Sequence, residues 1–172
     1  GQEIVVVMGL GFVGAVMAAI VADTKDKDGK NSKFVIGCQR PSSRSYWKIP
    51  LINRGVAPVK AEDPEVDVLI ERCVLHDKTL VATYNSDCLQ FADCVVVDVQ
   101  CDFSKKELGN MRSGEADMAA LEDTIRIIGQ KIPPECLVLI ETTVAPGTTE
   151  FVAWPTLKKA FAKRGMKETP LL

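Results

Sequence analysis

Ile4-Val5-Val6-Val7-Met8-Gly9-Leu10-Gly11-Phe12-Val13-Gly14 is the stretch on which the reading of the whole chain turns. Its opening residues are apolar and β-branched, the composition of a buried strand. Glycines then recur at Gly9, Gly11 and Gly14 in the spacing G-x-G-x-x-G, and the run Ala15 to Ala22 reads as a helix. Each glycine has a physical task. Gly9 permits the tight turn out of the strand, and Gly11 lets a pyrophosphate approach bare main chain. Gly14 allows the helix to pack close to the strand. The helix start adds unpaired N–H groups and the positive end of its dipole. Strand before and helix after is the context that the motif requires of a dinucleotide site.

Outward from this stretch, composition sets the bounds. The 172 residues suit one domain, or a piece of a larger protein, and 47% of them are hydrophobic, ample for a core. The net charge of −2 argues against a general nucleic-acid or anionic-membrane binder. Ile4 to Ala22 is nearly free of polar residues, yet its glycines and missing basic flanks argue against a membrane span or secretory leader. The chain opens on Gly1 rather than Met, which points to a processed or engineered terminus. The six cysteines form no C-x-x-C pair, so no metal site is expected, and Cys38, Cys94 and Cys136 read as small buried hydrophobes. A reduced, cytoplasmic protein follows.

Along the chain, Asp23 to Lys33 reads as a polar loop, and Phe34 to Cys38 as the second strand. At that strand's end a dinucleotide fold needs an Asp or Glu for the adenosine ribose. Here Gln39 stands there, followed by Arg40 and Arg44, which leaves a 2′-phosphorylated cofactor open. Ser45 to Asn53 and Pro64 to Leu75 read as helices. His76, the single histidine, reads as a surface residue at a helix end. Leu80 to Thr83 is a third strand, Ser86 to Phe91 a helical turn, and Cys94 to Val99 a fourth strand. Gln100-Cys101-Asp102-Phe103 leave that strand at the edge where open parallel sheets bind ligands. A polar loop is predicted for Lys105 to Glu115, an amphipathic helix for Ala116 to Lys131, and a fifth strand for Cys136 to Ile140. A last helix is predicted from Thr149 to Arg164, with Pro155 kinking it or starting its main part. Alternation of strands and helices predicts an α/β fold, a doubly wound parallel sheet with right-handed crossovers.

With these loops placed, the chain resembles the NAD-binding N-terminal domain of the UDP-glucose/GDP-mannose dehydrogenase family. The resemblance spans nearly the whole chain. It rests on Gly9 to Gly14, on Leu51-Ile52-Asn53-Arg54-Gly55 with Pro58, on Ala92-Asp93, and most specifically on Glu141-Thr142-Thr143-Val144-Ala145-Pro146-Gly147-Thr148-Thr149. Gly37-Cys38-Gln39-Arg40 with Lys48-Ile49 is most similar to the branch acting on UDP-N-acetylhexosamines.

The resemblance implies a Rossmann-like, three-layer α/β/α domain over residues 1–172 and oxidation of a UDP-sugar C6 alcohol to a carboxylate. That reaction uses two NAD molecules in turn. A cysteine holds the intermediate as a thiohemiacetal and then a thioester. It implies cofactor contacts at Gly9, Leu10, Gly11, Phe12, Val13, Gly14, Gln39, Arg40, Arg44, Thr83, Val99, Gln100, Cys101 and Thr143. Thr143 matches the family's active-site threonine, which helps position water or substrate. The family's usual Thr-Pro is replaced by Cys101-Asp102, and Cys101 reads as a small loop residue in place of threonine. The family's nucleophilic cysteine lies in a Gly-Gly-x-Cys context that is absent from these residues, so the chain alone is expected to bind NAD and turn over nothing. The full-length enzyme is expected to be a homodimer. A stand-alone dinucleotide sensor is the alternative; an S-adenosylmethionine-dependent methyltransferase is disfavoured by Gly14.

Overall fold

The computed structural model describes residues 1–61, 63–105, 107–110, 113–167 and 171–172. Its centre is strand β1 (Glu3–Met8), whose residues Val5 to Met8 are all buried. Helix α1 (Phe12–Ala22) follows, starting three residues ahead of the predicted Ala15, so that Gly14 lies inside its first turn. Then come β2 (Lys33–Cys38), the short α2 (Lys48–Ile52), and α3 (Glu65–Glu71), which runs on through a π turn to His76. Strand β3 (Leu80–Thr83), a 3-10 turn over Ser86–Phe91, and β4 (Cys94–Val97) complete the first half.

The main sheet has the order β3-β2-β1-β4 and then a fifth strand over Leu137–Ile140, with every pairing parallel. The chain leaves β1 toward one edge and later returns to lay β4 on the other side. That reversal opens a crevice above the carboxyl ends of β1 and β4. The pleat divides the core. Val5, Val7, Val35, Leu80 and Val96 face α1 and α3, while Val6, Met8, Val95, Val97 and Val138 face the other layer. Burial on both faces explains the unbroken apolar runs, each such side chain contributing about 1.5–3 kcal/mol.

The second half departs from the sequence expectation. The predicted polar loop Lys105 to Glu115 and the residues around it hold a two-stranded antiparallel ribbon, β5 (Asp102–Lys105) with β6 (Gly114–Asp117). Every residue of β5 is exposed, so the ribbon has no buried face to imprint an apolar alternation. Helix α4 (Ala119–Lys131) therefore begins at Ala119 rather than Ala116, and the Asp117 carboxylate accepts its Ala119 N–H at 3.0 Å. Leu121, Ile125 and Ile128 bury its apolar stripe. Strand β7 (Leu137–Ile140) starts one residue after Cys136. A π turn over Thr149–Ala153 leads into α5 (Trp154–Lys163), with Pro155 in the first turn of the α-helical part, as predicted.

Three motif residues fasten this frame. The Asp93 carboxylate accepts the Ile4 N–H at 2.7 Å, and Asp93 N–H returns a bond to the Ile4 carbonyl at 2.9 Å. The Asn53 side chain pairs with both main-chain groups of Ala82, at 2.8 and 2.9 Å, closing the outer edge of β3 as another strand would. The Thr142 hydroxyl donates to the Val99 carbonyl at 2.8 Å and joins the loop after β7 to the end of β4.

Candidate functional site

The crevice at the strand ends has a volume of about 410 Å³. Its floor is the glycine turn. Gly9 has φ +101, a conformation that L side chains rarely adopt, and a Cβ there would fall 2.1 Å from the Asp98 carbonyl oxygen. A Cβ on Gly14 would fall 2.0 Å from the Gly9 carbonyl oxygen, so the helix seats directly on the turn. Gly11 differs from both. It is the N-cap of α1 in extended backbone (φ −79, ψ −156), and a Cβ there would meet no heavy atom within 4 Å. Gly11 lines the crevice, so its open side is a cradle that a side chain would fill.

The turn is held from two sides. The Leu10 N–H donates to the Gln39 side-chain oxygen at 2.8 Å, and Lys48 Nζ donates to the Leu10 carbonyl at 2.8 Å. Burial pushes the Lys48 ammonium below the ordinary lysine range. Leu10 itself is buried, its side chain seated over Gly37 of β2, where a Cβ would lie 2.8 Å from Leu10 Cδ2. This close approach explains a glycine in the middle of a strand.

From the other side Asp98 reaches the start of α1. Gly11 offers no capping side chain, and the Asp98 carboxylate instead accepts the Gly14 N–H. Burial raises this carboxyl above the usual range, the nearby Glu141 charge adds to that, and the Gly14 N–H works against it.

Of the residues singled out in the sequence, Gly9, Gly11, Gln39, Arg40, Arg44, Val99 and Gln100 line the crevice together. Leu10 and Gly14 are buried behind it. Phe12 and Val13 stand exposed on the first turn of α1. Thr83 ends β3 beside Cys38, with its hydroxyl accepting the Asn85 N–H at 3.1 Å. Cys101 Sγ donates to the Asp117 carbonyl at 3.6 Å and lies 3.7 Å from Met118 Sδ. Thr143 is exposed in the loop after β7. These last five are outside the lining.

The lining also contains groups that sequence reasoning gave no part in binding: Lys48, Asp98, Asp117 and Asp123. A charged residue directly after the apolar run Cys94 to Val97 was the available signal for Asp98. All six cysteines are free thiols, and among the described residues no group of three or more His, Cys, Asp or Glu could hold a metal ion. Among them, too, no helix is long and apolar enough to cross a membrane.

Residues 3–169 match the family model described as the NAD binding domain of the UDP-glucose/GDP-mannose dehydrogenase family. The UDP-N-acetyl-D-mannosamine dehydrogenase of Pyrococcus horikoshii is 29% identical over 149 residues, covering 87% of this chain and 30% of that protein. The GDP-mannose 6-dehydrogenase of Pseudomonas putida is 26% identical over 161 residues, covering 92% and 32%. The crystal structure of an NDP-N-acetyl-D-galactosaminuronic acid dehydrogenase from Methanosarcina mazei superposes with a TM-score of 0.79 at 33% identity, over 92% of this chain and 31% of that one. The chain thus spans about a third of the length of the relatives it matches.

Proposed function

Since the chain belongs to the UDP-glucose/GDP-mannose dehydrogenase family, with NAD as the cofactor of this domain, we propose that it serves a nucleotide-sugar 6-dehydrogenase which oxidises the C6 alcohol of a UDP-sugar to the uronic acid in two NAD-dependent steps. The observation that carries the reading is the open side of Gly11 inside the crevice, with the amino end of α1 behind it.

On this reading the diphosphate of the cofactor lies against Gly9 to Gly14 and is met by the free N–H groups of the first turn. Gln39 and Lys48 keep the Leu10 peptide fixed while it does so. Arg40 and Arg44 receive the adenosine end, and Val99 and Gln100 border the other half of the cofactor. When bound, NAD supplies a hydride acceptor. Thr142 anchors its loop on Val99, which sets where the neighbouring Thr143 hydroxyl stands relative to the end of β4, and Thr143 positions water or substrate there. Substrate identity and a dimer of the parent protein belong to the same proposal.

The test is a calorimetric titration of the chain with NAD, followed by incubation with NAD and UDP-N-acetylhexosamine or UDP-glucose while NADH absorbance is monitored. Binding without turnover is expected. Absence of NAD binding overturns the assignment of the crevice, and sustained NADH production by these residues alone overturns the division of labour.

A further inference from the structure

Helix α1 opens without a cap of its own. Gly11 stands at the N-cap position and brings no side chain. The acceptor that a Ser or Asp would ordinarily supply there comes from elsewhere in the chain. The carboxylate of Asp98, the first residue after β4, takes the Gly14 N–H. Its Oδ2 lies 2.7 Å from where a Gly14 Cβ would stand, so the carboxylate rests directly on the first turn. The N–H groups of Phe12 and Val13 meet no acceptor among the described residues, and these are what remain for a diphosphate. Asp98 and Gly11 line the same crevice, so the carboxylate and an incoming diphosphate share one helix end.

No cation balances Asp98. Among the described residues it takes part in no ion pair. The turn from Gly9 to Gly14 and the rest of α1 as far as Ala22 carry no charged side chain. In the loop after β7, the Glu141 N–H donates to the Val97 carbonyl at 3.0 Å, which brings a second carboxylate alongside. The other acids of the lining, Asp102, Asp117 and Asp123, add charge of the same sign. Arg40, Arg44 and Lys48 line the crevice from the segment after β2, and none is paired with Asp98. Burial, with Glu141 adding to it, already holds the Asp98 carboxyl above its ordinary range against the pull of the Gly14 N–H.

We propose that Asp98 takes up a proton as the diphosphate of NAD seats on the start of α1, so that the crevice binds NAD more tightly in acid than above neutrality. The diphosphate arrives as a dianion. At the effective dielectric of a protein, a unit charge about 6 Å from a carboxylate moves its midpoint up by about one to two pH units. The proton passes from solvent to the Asp98 carboxyl, and no bond to the nucleotide is made or broken. The neutral acid keeps an oxygen on which the Gly14 N–H can rest. The carboxylate thus caps the helix in the empty chain and gives up its charge on loading. This inference rests on the dinucleotide reading of the crevice and adds to it a proton as a second ligand.

The experiment is a calorimetric titration of the chain with NAD at about pH 5, about pH 6.5 and about pH 8, each in two buffers of different ionisation enthalpy. Proton uptake is then read on the parent chain without any substitution. The titrations are repeated for Asp98→Asn, which keeps an oxygen for the Gly14 N–H, and for Glu141→Gln, each shown by its melt to be folded. The parent should bind NAD about ten- to a hundredfold more tightly at the acid end than at the alkaline end, with uptake approaching one proton between them. Asp98→Asn should take up none, and its affinity should vary by less than about threefold over the range. Glu141→Gln should keep the uptake, with its midpoint at lower pH. A parent affinity that varies by less than about threefold, proton uptake that persists in Asp98→Asn, or loss of NAD binding by Asp98→Asn at every pH would each overturn the proposal while leaving the dinucleotide crevice standing. Absence of NAD binding by the parent at every pH would overturn the dinucleotide reading itself, and this proposal with it.

Discussion

Replacing Gly11 by valine separates the fold of the glycine turn from its use. Gly11 sits at φ −79 and ψ −156, extended backbone that any residue adopts, and a Cβ there would have no heavy atom within 4 Å. The added Cβ therefore strains nothing. What is lost is a favourable N-cap residue exchanged for a β-branched one, roughly 0.5–1 kcal/mol. For a chain of this size that lowers the melting temperature by about 1–4 °C. Binding suffers far more. The new isopropyl group stands in the 410 Å³ crevice at the place where a diphosphate must touch bare main chain. Keeping the diphosphate away from the helix start removes on the order of two charge-assisted hydrogen bonds, about 3–6 kcal/mol in all. That corresponds to an affinity loss of roughly a hundredfold to ten-thousandfold. The assay pairs a calorimetric titration with NAD and a thermal melt of the same variant. NAD binding within about threefold of the parent would refute the placement of the diphosphate. A melt lowered by about 10 °C or more would refute the claim that the Gly11 side is open.

Further outcomes follow from other contacts. Gly14→Ala places a Cβ 2.0 Å from the Gly9 carbonyl oxygen and 2.7 Å from Asp98 Oδ2, so it should destabilise the chain by about 2–4 kcal/mol; an unchanged urea midpoint would contradict this. Asp98 is raised in the folded chain above its ordinary value of 3.8, so its contribution to stability is complete below that pH and is lost as pH rises through the higher folded value. Asp98→Asn should therefore gain stability relative to the parent as pH climbs from acid toward neutrality, and parallel urea-midpoint profiles for the two proteins would count against it. Arg164 Nη1 donates to the Gly129 and Ile132 carbonyls at 2.9 and 2.8 Å, closing the carboxyl end of α4, and its guanidinium lies 5.4 Å from the Phe161 ring centroid. Arg164→Ala should cost about 1–3 kcal/mol in a denaturant titration. A cost below about 0.3 kcal/mol would show those carbonyls to be adequately served by water.

The five parallel strands were readable because β1 and β4 are buried on both faces, and burial of that kind writes continuous apolar runs. The β5–β6 ribbon was not, since Asp102 to Lys105 are all exposed and their pairing is made of main-chain bonds that select no side chains. The glycine turn was equally plain, Gly9 and Gly14 answering to local backbone needs. Gln39 was placed correctly at the end of β2, but its engagement with Leu10 depends on how the ends of two strands lie beside each other, which no local window contains. Asp98 was hidden for a related reason. It reads as the tail of an apolar strand until the helix that it caps is brought against it.

The grip on the Leu10 peptide, with Gln39 on its N–H and Lys48 on its carbonyl, bears on the kinetics of capture. A turn already braced in its working shape has little disorder left to surrender when a nucleotide arrives, so empty and loaded forms should share nearly the same main-chain outline. Encounter then sets the rate of entry, and differences among competing nucleotides are expressed in how long each one stays.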